Sequence, residues 1–169
     1  MSEAGNSKRA AVIAALLLFG SAGAWLALTP QPQKTAEGIQ FRKETIDLVT
    51  AGGVRKLHVE LAVTPAELAY GLMFRTSLAD DHGMLFLYSE TREVRMWMRN
   101  TYIPLDMVFI RPDGTVLRVE PNTEPLSERI IESGGSVSAV LEMAGGATQR
   151  IGLKPGDKIV HPHFAPEKR

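Results

Sequence analysis

Leu57, Val59, Leu61 and Val63 alternate with His58, Glu60 and Ala62. A period of two is what a strand with one buried face needs, and an α-helix cannot use it. The pattern recurs along the chain. Residues 45–49 precede the first run across Ala51-Gly52-Gly53, so the two predict a hairpin. Further runs stand at 84–88, 94–99, 105–110 and 115–120. Between the last two, Arg111-Pro112-Asp113-Gly114 places Pro and Gly as a tight turn wants them. Val137, Ala139, Leu141 and Met143 alternate again, and Leu153-Lys154-Pro155-Gly156-Asp157 turns into a last short strand ending near Val160.

Helical signals are few. Thr64-Pro65-Ala66-Glu67 has a capping Thr, Pro at the first helical position and Glu three residues past the cap. A short helix therefore starts at Pro65, buries Leu68 and Leu72, and is expected to fail near Phe74 or Arg75. Residues 144–151 allow one or two further turns. Residues 122–135, framed by Pro121 and Pro125 and ending in Gly134-Gly135, read as a long surface loop. About eight short strands and one or two helices predict an α+β domain: a mostly antiparallel sheet curled into a small barrel or half-barrel. No internal repeat is visible.

Residues 10–19 read AAVIAALLLF behind Lys8 and Arg9 and before small residues, the order of an export signal. Ala22-Gly23-Ala24 offers a cleavage site after Ala24. The alternative is an uncleaved anchor through Leu28, since 19 residues from Ala10 approach the roughly 20 that span a bilayer. Either outcome places the domain in the periplasm or on the outer face of the inner membrane, with residues 10–28 available for membrane association. The expected organisation is 1–28 signal or anchor, 29–39 Pro- and Gln-rich linker, 40–163 one β-rich domain and 164–169 tail.

Composition removes several function classes. The chain has no cysteine, which excludes disulfides, thiolate zinc sites, iron–sulfur clusters and a Cys nucleophile. Lys+Arg and Asp+Glu number 19 each, so nothing in the overall charge suggests a nucleic-acid partner. No nucleophile elbow, phosphate loop or dinucleotide fingerprint occurs.

From Gly71 to Asp157 the chain resembles a family known only as "domain of unknown function 192". The segments that carry the resemblance are Gly71-Leu72-Met73-Phe74-Arg75, Gly83-Met84-Leu85-Phe86 and, above all, Trp97-Met98-Arg99-Asn100-Thr101-Tyr102-Ile103-Pro104-Leu105-Asp106. They continue through Glu124-Pro125, Val140-Leu141-Glu142 and Gly152-Leu153-Lys154-Pro155-Gly156-Asp157. The family usually has Lys where this chain has Arg99. The resemblance implies a compact β-rich domain, often exported, and no established activity.

Within the central motif, a strand would project Met96, Met98 and Asn100 from one face and Arg95, Trp97 and Arg99 from the other. With the methionines inward, the outer face is an aromatic ring between two guanidinium groups, a platform for a sugar or an anion. The plainer reading has Trp97 filling the core while the arginines reach water. Asp106 shares a strand face with Val108 and Ile110 and must find donors: either the Asn100-Thr101 turn or an arginine such as Arg75. Glu142 faces the same problem on the strand at 137–143. The leading expectation is a non-enzymatic envelope module binding a small polar or glycan-like ligand, with Arg75, Trp97, Arg99, Asn100, Thr101, Asp106 and Glu142 as candidate ligand-binding residues. One rival is a hydrolase or lyase using Asp106 and Glu142 as an acid/base pair. The other is an accessory protein whose loop at 122–135 contacts an envelope partner.

No cofactor or metal site is expected. Met73, Met84, Met96, Met98 and Met107 fall within 35 residues and suit soft metals, but at strand spacing they read as core filler. His161-Pro162-His163 reads as an exposed tail. Asp80-Asp81-His82-Gly83 carries ligand-type side chains in what reads as an ordinary acidic turn.

Overall fold

The computed structural model describes residues 38–164. The segment expected as export signal, most of the linker and residues 165–169 lie outside that range. Seven strands form one sheet: β1 Arg42–Thr50, β2 Gly53–Ala62, β3 His82–Met96, β4 Leu105–Ile110, β5 Val116–Thr123, β6 Ile131–Ala144 and β7 Lys158–Val160. Helix α1, Pro65–Tyr70, joins β2 to β3, and α2, Ala147–Ile151, follows β6. The spatial order is β5-β4-β6-β3-β2-β1-β7. Every pairing is antiparallel except β2 with β3, the pair that α1 crosses between. The architecture is thus α+β with a mostly antiparallel sheet.

The sheet curls into a half-barrel. Its far edges meet where the Ile159 N–H donates to the Gly114 carbonyl at 2.8 Å and the Val116 N–H to the Asp157 carbonyl at 2.8 Å. One apolar cluster draws on all seven strands, with Ile46, Leu57, Leu85, Val108, Val116, Leu141 and Ile159 among its members, and fills the inside of the curl. A second lies on the opposite face of the middle strands, where Met84, Phe86, Met107, Phe109 and Val140 meet Leu72 and Met98. Strict alternation explains the division, because successive residues of β4 enter different clusters.

Several local expectations are corrected. The runs at 84–88 and 94–99 are one strand, β3, because a bulge between Leu87 and Arg92 absorbs the polar interruption. That strand stops at Met96, so residues 97–99 belong to the following loop. The loop expected at 122–135 shrinks to 124–130. Pro121 is tolerated in β5 because β5 is an edge strand, and Ser133 holds the Gly-rich start of β6 by accepting from the Val94 N–H and donating to the Gly135 carbonyl. Helix α1 ends at Tyr70, short of Phe74, because Gly71 takes φ 52° and returns its N–H to the Glu67 carbonyl. The presumed tail begins too early: residues Pro162–Phe164 form a 3-10 turn, and Phe164 is buried in the inner cluster. His161 Nε2 donates to the Glu44 carboxylate at 3.0 Å with its side chain only 6% exposed, and His163 donates to the Ser138 carbonyl. Neither imidazole is a free tail ligand.

Candidate functional site

Helix α1 starts as its capping residues require. The Thr64 hydroxyl accepts from the Glu67 N–H, and the Glu67 carboxylate accepts from the Thr64 N–H at 2.8 Å. The helix buries no residue fully. It serves instead as one wall of a groove of about 830 Å³, with Pro65, Leu68 and Ala69 on one side and Arg92, Arg95, Trp97 and Arg99 on the other. Beneath it a cavity of about 40 Å³ shares Leu68, Ala69, Met96, Trp97 and Arg99 with the groove and adds Phe86, Thr101 and Glu142. That volume admits only a few atoms, since one water occupies roughly 10–15 Å³ on this measure. Gly71 is what lets the helix end approach the floor: a Cβ there would stand 2.9 Å from Phe86 Cζ.

At the mouth, Trp97 is 43% exposed and the Arg99 guanidinium lies 4.1 Å from its ring centre. Arg92 sits in the same way 5.2 Å from the Tyr88 ring. Among the described residues neither arginine has a carboxylate partner, whereas Arg95 reaches Glu132 at 3.3 Å. The groove therefore presents the Arg99 guanidinium stacked on a half-exposed indole, with the Arg92 guanidinium on the Tyr88 ring nearby. Trp97 does not fill the core. Met98, next in the chain, does: it is fully buried and accepts from the Thr123 hydroxyl at 3.1 Å.

At the floor, Glu142 is 4% exposed, and its carboxyl has no hydrogen-bond partner among the described residues. Burial raises its pKa to about 8, so at neutral pH the group is mainly the protonated acid, able to donate as well as accept. The buried Tyr88 hydroxyl has its pKa raised by burial and, to a lesser degree, by Glu142, and it donates to Met96 Sδ at 3.6 Å.

The remaining candidates, Thr101 apart, lie elsewhere. Asp106 is fully buried, but its donors are neither the Asn100-Thr101 turn nor Arg75. It accepts from the backbone N–H groups of Asn122 at 2.8 Å, Gly146 at 2.8 Å and Thr148 at 2.9 Å, and from the Thr148 hydroxyl at 2.6 Å. One carboxylate thus ties β4 to the end of β5 and the start of α2. Arg75 pairs with Glu60 instead. Asn100, at φ 59°, carries the turn, and its side-chain amide reaches Met73 Sδ at 3.8 Å; Thr101 is buried at the cavity wall. Asp106 and Glu142 cannot cooperate, because Met107 is the cross-strand partner of Glu142 and Met143 that of Asp106. Their side chains leave opposite faces of the sheet. What the structure brings together is Trp97, Arg99, Thr101 and Glu142, with Arg92 added. The exposed Arg92 lies upstream of the motif at 97–106, at the register shift in β3.

Among the described residues, no group of three or more His, Asp and Glu side chains is arranged to hold a metal, and no helix is long and apolar enough to cross a membrane.

A curled antiparallel half-barrel with a short crossover helix over one face is the class this geometry defines. Residues 47–161 match the model of the DUF192 family, described as an uncharacterized ACR, and the chain belongs to that family. Among solved structures it is similar to a protein from Sinorhizobium meliloti described as a candidate transcription regulator, with 47% identity, a TM-score of 0.72, and coverage of 75% of this chain and 98% of that one. It is also similar to a protein of unknown function from Novosphingobium aromaticivorans, with 38% identity, a TM-score of 0.69, and coverage of 78% and 100%. No curated protein matches the chain.

Proposed function

We propose that this domain is a non-enzymatic binding module of the cell envelope, and that its groove takes a small, ring-bearing polar ligand with an acidic group, of the kind an acidic glycan presents. The observation that carries the reading is the half-exposed Trp97 with the Arg99 guanidinium 4.1 Å from its ring. An indole left open to solvent offers an apolar face to a sugar ring, and unpaired guanidinium groups offer paired donors to a carboxylate or phosphate. Glu142 below, uncharged at neutral pH, would meet a hydroxyl at the deep end. The envelope location rests on the charged and apolar order of residues 8–24. A transcription regulator's role, suggested by the Sinorhizobium relative's description, has less behind it. Charges balance at 19 and 19, and α1 and α2, of six and five residues, are short for reading a major groove.

The test is a nuclear magnetic resonance screen of uronic-acid and phosphorylated oligosaccharides against their neutral counterparts. Acidic sugars should shift the Trp97 indole and Arg99 guanidinium resonances in a saturable way. Shifts confined to residues outside the groove, or none, would remove the reading. Cell fractionation with mass mapping of the amino terminus checks the location; full-length protein in the cytosolic fraction with no membrane association would contradict it.

A further inference from the structure

A second groove, about 400 Å³, lies along β1, β2 and the start of β3, where His58 and His82 stand side by side. They are direct partners across the parallel β2 and β3 pair, with ring centres 5.3 Å apart. Each ring is held through Nδ1. The Thr45 hydroxyl lies 3.0 Å from Nδ1 of His58, and the Asp81 carboxylate lies 2.7 Å from Nδ1 of His82. Among the described residues neither Nε2 has a partner. Because a carboxylate oxygen can only accept, the hydrogen bond to Asp81 places the His82 proton on Nδ1 and leaves the Nε2 lone pair free. This is the carboxylate-to-histidine support that metal-binding imidazoles use.

We infer that His58 and His82 form a two-nitrogen site for a divalent transition ion of the class that favours imidazole, such as Zn²⁺. Two Nε2 atoms at roughly 2.0–2.1 Å from a tetrahedral ion place the ring centres about 5 Å apart, which is the spacing the strands already impose. No third protein ligand stands with them, so water completes the coordination and the open groove gives it room. Glu44 and Glu60 also line this groove, but they are engaged by His161 and Arg75. Both imidazoles are exposed, so replacing them leaves the fold intact. The site is independent of the Trp97 groove.

The experiment is titration of the untagged, chelator-treated full chain with Zn²⁺ alone, by calorimetry and by histidine-ring nitrogen resonances. One saturable site is expected, with the Nε2 resonances of His58 and His82 moving together. His58→Gln and His82→Gln should each weaken binding by about tenfold or more, and Asp81→Asn by about tenfold through the lost support of His82. Unchanged melting temperatures should accompany all three, and His163→Gln should leave affinity unaltered. Absence of saturable binding, or affinity that survives the loss of both His58 and His82, overturns the site, as does binding that moves to His161 and His163.

Discussion

Two buried carboxylates on adjacent strands of one sheet solve the same problem in opposite ways. Asp106 gathers four donors, so its charge is fully compensated. Asp106→Asn keeps the shape, but replaces one acceptor oxygen with an NH₂ facing N–H groups. It should lower stability by about 2–4 kcal/mol in denaturant melts, and a variant as stable as wild type would refute the role given to these bonds. Glu142 has no such donors, and burial holds its pKa at about 8 against an ordinary 4.5. A raised folded-state pKa means that its favourable contribution is complete below pH 4.5 and is lost as pH rises to about 8. Across that window Glu142 should give stability a downward slope of up to about 1.4 kcal/mol per pH unit. Glu142→Gln should remove that slope; equal slopes in the two proteins would show that the carboxyl ionises freely in the fold. The sequence made both predicaments legible, since each residue sits in an apolar alternating run. It did not disclose the solution for Asp106, because the donors come from 16, 40 and 42 residues downstream. The end of β5 supplies the first, and only the chain's return after β6 supplies the others.

Among the elements, those written in local chemistry were readable and those fixed by distant packing were not. The capping box at Thr64 and the turn at Arg111 to Gly114 are short-range devices, and both form. The end of α1 depends on Gly71, whose φ of 52° and contact with Phe86 have no local signature beyond the glycine itself. Gly71→Ala must place a Cβ 2.9 Å from the Phe86 ring on a backbone that disfavours it. A cost of about 1–3 kcal/mol is expected, together with a change in the near-ultraviolet signal of the aromatic residues around the cavity. A melt and spectrum indistinguishable from wild type would mean that the helix end does not pack where described. The β3 bulge escaped sequence reading for a similar reason. Ser89-Glu90-Thr91 looks like a loop, and only the register against β6 turns it into an irregularity within one strand.

For the molecule as a whole, the sheet's two faces divide structure from proposed function. The inner cluster closes the half-barrel, while the outer cluster, roofed by α1 and the loop after β3, carries the groove. Alternation in β4 and β6 already assigned Leu105, Met107 and Phe109 to one face and Asp106 to the other. It could not say which face would be left partly open, because that depends on how far α1 reaches across the sheet. The exposure of Trp97 is what the proposed ligand would use. The decisive measurement is calorimetric titration of an acidic oligosaccharide into wild type, Trp97→Ala, Arg99→Lys and Arg99→Ala, at low and moderate salt. Saturable binding is expected that weakens with salt, falls by about tenfold or more in Trp97→Ala and Arg99→Ala, and is only partly restored in Arg99→Lys, whose ammonium lacks the planar two-donor face. Binding of equal strength in all four proteins, or none in wild type, would contradict it.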